Sequence, residues 1–122
     1  MKFSNLLQKD ISITQYISEI IQEFRSYAGA SGRYLNVFKN YHGECVLVVD
    51  AEDCEQVHDT VFITVYSKDI SYYTVSIPSH LLKQIYVSPS RDGFKYNEGL
   101  IRVSLVLNDD VCNRMDGEML TG

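Results

Sequence analysis

Between Ile13 and Ala28 the apolar side chains keep the rhythm of a helix, and after Gly32 they switch to the rhythm of strands. That switch constrains the fold more than any other feature of the chain. Ile13, Tyr16, Ile17, Ile20, Ile21, Phe24, Tyr27 and Ala28 recur at steps of three and four, which places them on one stripe of a long N-terminal helix over 13–28. Gln15, Ser18, Glu19, Gln22, Glu23 and Arg25 fill the opposite face. Ser12 with Gln15 reads as a capping box and Gly29 as a C-terminal stop. Phe3, Leu6 and Leu7 add a preceding turn for the same core.

Beyond Gly32, Tyr34–Asn40 and Cys45–Asp50 read as strands joined by the turn Tyr41-His42-Gly43-Glu44. Val46-Leu47-Val48-Val49 is continuously apolar, so its strand should be central and covered on both faces. An acidic loop follows. Thr60–Ser67 alternates, and Lys68-Asp69-Ile70 turns into Ser71–Ile77. Pro78 stops that strand, and Ser79 caps a short helix carrying Leu81, Leu82, Ile85 and Tyr86. Ser88–Gly93 reads as a loop. Phe94-Lys95-Tyr96 and Leu100–Leu107 make a last hairpin, and Asp109 or Asp110 caps a final turn. The expectation is one α+β domain over residues 1–122. Its sheet is mostly antiparallel, with about five to six strands, and the long helix and one or two short ones pack on it.

A chain of 122 residues buries roughly two-thirds of its unfolded surface, enough for a core without staples. No apolar run approaches the length of a membrane span, and Gln8-Lys9-Asp10 interrupts the N-terminus before a signal peptide's apolar run forms. Three cysteines (Cys45, Cys54, Cys112) are an odd number, which reads as reduced thiols and a cytoplasmic protein.

The net charge of −5 is unevenly spread. Residues 44–69 carry seven acids against Lys68 alone, and 108–122 carry four against Arg114. The other two stretches are slightly basic. Like charge opposes a phosphate backbone, so direct nucleic-acid binding is disfavoured and a basic protein surface suits the chain better.

Catalytic and metal signatures are weak. His42-x2-Cys45-x8-Cys54-x3-His58 has zinc-like spacings, but the intervening strand carries the chain ~16 Å between the two pairs. Gly29-Ala30-Ser31-Gly32-Arg33 mimics a phosphate loop yet follows a helix, where the dipole is negative. No nucleophile elbow is present, and Asp50, Glu52, Asp53, Glu55 and Asp59 lack the register of a calcium loop. No cofactor, metal or enzymatic activity is implied.

Nine tyrosines and no tryptophan are the remaining oddity. Tyrosine is enriched at interfaces, where its ring buries area and its hydroxyl finds a partner. The leading expectation is therefore a binding protein of the inhibitor, immunity or chaperone kind. It would mask a partner's basic surface with Glu52, Asp53, Glu55, Asp59, Tyr66 and Tyr72. The alternative is a nucleotide-type ligand site built from Arg91, Phe94, Tyr96 and Arg102. The order helix–strands–helix–strands–helix, with Gly43-Glu44-Cys45 entering an apolar strand, resembles the small acidic chaperones of bacterial secretion systems. That resemblance implies a homodimer.

Overall fold

The computed structural model describes residues 6–67 and 71–115. In chain order it holds α1 (Leu6–Ser31), β1 (Leu35–Lys39), β2 (Cys45–Ala51), β3 (Asp53–Val57), β4 (Thr60–Ser67), β5 (Ser71–Pro78), a 3-10 turn (Ser79–Leu81), β6 (Leu82–Asp92), β7 (Lys95–Leu107) and α2 (Asp109–Asn113). The strands form two antiparallel sheets, one ordered β1-β2-β7-β6 and the other β3-β4-β5.

The α+β class and the antiparallel pairing are as expected. The strand count is not: seven strands divide between two sheets, where one sheet of five or six was expected. Two segments account for the difference. The residues expected to form a short helix and a loop after Ser79 are instead β6, eleven residues long. Its pairing with β7 shifts register between Leu82 and Gln84 and again between Pro89 and Arg91. Each shift breaks the two-residue alternation, so the run imitates helical spacing. Pro89 is tolerated because β6 is an edge strand. The expected acidic loop likewise contains β3, paired with β4 across the two-residue turn His58-Asp59. With these changes the element order departs from the one on which the chaperone resemblance rested.

One main helix is present, and its described face runs over 15–30, not 13–28. The helix begins before Ser12, so Ser12 and Gln15 do not cap it. It also runs past Gly29. Gly32 ends it at φ +73°, and the Arg33 N–H donates to the Ala28 carbonyl at 3.1 Å, the six-to-one closure of a Schellman motif. Phe3, the side chains of Leu6, Leu7 and Ile13, and the turn Lys68-Asp69-Ile70 lie outside the described residues.

Ile17, Ile20, Ile21 and Phe24 of α1 are buried, as the stripe requires. They meet Val37, Leu47 and Val49 of the four-stranded sheet, and Ile63, Val65, Val75 and Ile77 of the three-stranded one, in a single core. β2 is its spine, buried along its whole length. On the far side of the four-stranded sheet, Val46, Val48 and Val106 form a smaller cluster with Phe38.

Asn108, one residue before the expected caps, opens α2: its Oδ1 accepts from the Val111 N–H at 2.9 Å. α2 folds back over the start of β2, and there Cys112 is joined to Cys45 with the Cα atoms 5.4 Å apart. The expectation of three reduced thiols is thus corrected. A separation of 67 residues gave no local sign of the pairing, and Cys54 remains as the free cysteine. Among the described residues no helix is long and apolar enough to cross a membrane.

Candidate interaction surface

In the three-stranded sheet, Val61, Ile63, Val65, Val75 and Ile77 point into the core, so the residues between them face solvent. Cross-strand register sets out that outer face in rows. Asp53 stands opposite Thr64, which faces Thr74; Glu55 stands opposite Phe62, which faces Ser76; Tyr66 stands opposite Tyr72. The Asp53 row and the tyrosine row are two residues apart along β4, about 7 Å. The two rings meet edge to face, with centroids 5.4 Å apart, and Tyr72 is two-thirds exposed. Four of the six expected partner-binding residues, Asp53, Glu55, Tyr66 and Tyr72, therefore share one solvent face.

Glu52 and Asp59 do not join them. Glu52 sits at the bend between β2 and β3, where its N–H donates to the Thr64 carbonyl and its carboxylate meets Arg33 Nη2 at 2.7 Å. It is committed to an ion pair, although Arg33 Nη1 and Glu52 Oε1 lack hydrogen-bond partners. Asp59 lies in the β3–β4 turn, seven residues before Tyr66 and so roughly 20 Å away. The turn itself is tight: His58 adopts φ +55°, a left-handed conformation that suits a two-residue hairpin.

The residues of the alternative ligand site are split. Arg102 is held by Asp50, its Nε and Nη2 donating to the two carboxylate oxygens at 2.7 and 3.0 Å. This fork raises the guanidinium's already high pKa further, and its plane lies over the Tyr34 ring at 4.3 Å. Arg91, Phe94 and Tyr96 lie on the β6–β7 hairpin, Arg91 and Tyr96 directly opposite each other and Phe94 in the turn. Arg102 has no free donor face to offer a phosphate beside them.

Asp50 itself was missed as more than part of an acidic run. It is 3% exposed, and Ser90, fully buried, donates to its Oδ2 at 2.6 Å. The Asn97 amide donates to Ser90 Oγ at 2.9 Å. A signal was present: a carboxylate closing a wholly apolar strand needs a cation, and Arg102 interrupts the alternating apolar run of β7. Tyr73 was also missed. It stacks on Tyr27 at 4.8 Å and donates its hydroxyl to Glu23, a hydrogen bond that, with burial, pushes its pKa up to about 12.

Of the zinc-like set, Cys45 is spent on Cys112. Among the described residues no three His, Cys, Asp or Glu side chains gather as a metal site would require. Comparison with known protein families finds no match, and neither curated proteins nor solved structures match the chain.

Proposed function

We propose that this protein works by binding another protein through the outer face of its three-stranded sheet, and not by catalysis. The observation that carries the reading is the assembly of Asp53, Glu55, Tyr66 and Tyr72 on one solvent face. Exposed aromatic rings supply the anchoring energy of interfaces, and unpaired carboxylates beside them steer a basic partner and speed its approach. The class of partner is thus a protein with a cationic surface, and the class of action is masking, as in an inhibitor, an immunity protein or a chaperone. The nucleotide reading is weaker because Arg102 is occupied by Asp50. The compartment changes with the cysteines: a Cys45–Cys112 disulfide suits an oxidising setting better than the cytosol, where thiols are kept reduced.

The test is capture from a native lysate on wild-type protein and on an Asp53→Asn/Glu55→Gln/Tyr72→Ala variant. The wild type should retain a basic protein that the variant loses, with an association rate that falls as salt rises. Identical captures by both would remove this face from the function.

A further inference from the structure

Two sheets leave four edge strands, β1, β6, β3 and β5, and the fold guards them unequally. β6 is broken by its two register shifts and carries Lys83 and Pro89, all of which discourage a further strand. β1 ends in Lys39. α1 reaches over the outer edge of β5, where the Tyr16 hydroxyl donates to the Ser76 carbonyl at 2.8 Å. β3 has no proline, lysine or register shift between Asp53 and Val57. Its hairpin with β4 fixes which main-chain groups are left over. The two-residue turn makes Val57 and Thr60 a hydrogen-bonded pair. Such pairs alternate, so Glu55 with Phe62 and Asp53 with Thr64 are hydrogen-bonded too. The N–H and C=O groups of Cys54 and Gln56 therefore point away from β4, along the open edge.

Side chains on that edge carry one sign. Asp53, Glu55 and the exposed Val57 stand on the outer face at every second residue, and Asp59 follows in the turn. β3, β4 and β5 contain no lysine or arginine, and Arg33, near the start of β3, is already paired with Glu52. Asp53, Glu55 and Asp59 form no ion pair among the described residues.

We propose that β3 accepts an extended segment of the partner protein as an added antiparallel strand, with lysine or arginine at alternate positions. The inference rests on reading the outer face as a recognition surface, and names how the basic partner engages it. In strand addition, main-chain hydrogen bonds supply affinity and alternate side chains supply specificity. Here the main-chain groups are those of Cys54 and Gln56. Partner residues opposite Asp53, Glu55 and Val57 fall at non-hydrogen-bonded positions, where Cα atoms approach to about 4.5 Å and side chains lie closest. An antiparallel partner therefore reads apolar-x-cation-x-cation from its N-terminal end, meeting Val57, Glu55 and Asp53 in turn. Opposite charges facing each other across strands stabilise the pairing, and like charges oppose it. The same carboxylates thus reject β3 of a second copy and admit a basic strand.

The probe is a capped, fluorescein-labelled peptide, Thr-Thr-Val-Thr-Lys-Thr-Arg-Thr-Thr, followed by anisotropy and by amide hydrogen exchange on the full chain. It should bind, and slow exchange at the Cys54 and Gln56 amides while those bonded to β4 stay as they were. An isomer with the two cations adjacent should bind about tenfold more weakly, because one of them leaves the carboxylate face. Methylating the amide nitrogens of the two threonines that flank lysine should weaken binding by about tenfold or more without altering charge. Gln56→Pro should also weaken it, since that N–H faces away from β4 and an edge strand tolerates proline there. Asp53→Lys/Glu55→Lys should prefer the peptide with glutamate in place of both cations. Equal binding of the two isomers overturns the proposal, as does N-methylation without effect or unchanged exchange at Cys54 and Gln56 under millimolar peptide. The N-methylated peptide keeps the test decisive if Gln56→Pro fails to fold. Partner capture separates the two readings. A basic protein held equally by wild type and folded Gln56→Pro removes strand addition alone, whereas identical capture by wild type and the Asp53→Asn/Glu55→Gln/Tyr72→Ala variant removes the face itself.

Discussion

The acidic stretch from Glu44 to Thr60 holds six carboxylates, and the fold divides them into two kinds. Glu44 meets Lys83 at 2.8 Å and the Asn40 amide at 3.0 Å; Asp50 meets Arg102; Glu52 meets Arg33. These three answer to bases that lie 39, 52 and 19 residues away, so their charge is spent inside the molecule. Asp53 and Glu55 point to solvent from β3 with no ion pair among the described residues, and the Asp59 carboxylate accepts from the neighbouring Thr60 hydroxyl at 3.4 Å. Charge density along a sequence thus overstates the charge left unpaired at the surface. The same residue type serves as a fastening where the fold brings a base near it and stays solvent-exposed on the edge strand β3.

The comparison is most exposed to failure at Arg102. Arg102→Met leaves Asp50 as an uncompensated buried carboxylate and should cost about 3–5 kcal/mol in urea denaturation. Adding Asp50→Leu should recover much of that loss, because removing both members of a buried pair spares the stranded charge. A cost under about 1 kcal/mol for Arg102→Met would mean that Asp50 is solvated and belongs with the exposed acids.

Next in size is the disulfide, which closes a loop holding six of the seven strands, β2 to β7. Its loss, by reduction or as Cys112→Ser, should lower stability by roughly 2–4 kcal/mol. The intact protein should show one reactive thiol, Cys54, after denaturation without reductant. Three reactive thiols would show that the bond does not form.

The helix stripe and the central apolar strand were legible because each is one uninterrupted period: Ile17, Ile20, Ile21 and Phe24 for α1, and Val46–Val49 for β2. β6 was not, because two register shifts displace Ile85 and Pro89 from a clean alternation. β3 was not, because an edge strand with acids outward carries little apolar pattern: only Cys54 on its inner side packs against the core. Tyr66 and Tyr72 were legible as candidates from composition, and the antiparallel register of β4 with β5 sets them directly opposite each other. The division of the acids was not legible, since it depends on Arg33, Lys83 and Arg102, which only the tertiary fold brings near.

A smaller effect should appear at high pH. The hydrogen bond to Glu23 holds the Tyr73 phenol protonated to about pH 12, against about 10 in an unfolded chain. A raised folded-state pKa gives stability that is complete below pH 10 and is lost as pH rises through 12. Thermal melts should therefore fall off between those values, and Tyr73→Phe should make the decline shallower. Phenolate absorbance appearing with a midpoint near 10 for every tyrosine would remove this clamp between α1 and β5.

The smallest change in stability should come from Asp53→Asn with Glu55→Gln, within about 0.5 kcal/mol, because neither carboxylate has an ion-pair partner to lose among the described residues. Glu52→Gln, one residue before them, should cost about 1 kcal/mol, since it weakens the pair with Arg33. That contrast across adjacent positions tests the division directly. A second role for the same acids must be separated from recognition: carboxylates on an edge strand also discourage another strand from pairing with it. The two roles predict different behaviour. If Asp53 and Glu55 receive a cationic surface, the neutral variant should bind its partner more slowly and lose the salt dependence of that rate. If they only guard the edge of β3, the variant should aggregate more as concentration rises while partner binding stays as fast as before. Light scattering and stopped-flow association on the same preparation distinguish these outcomes, and increased aggregation with an unchanged rate would move the recognition surface off this sheet.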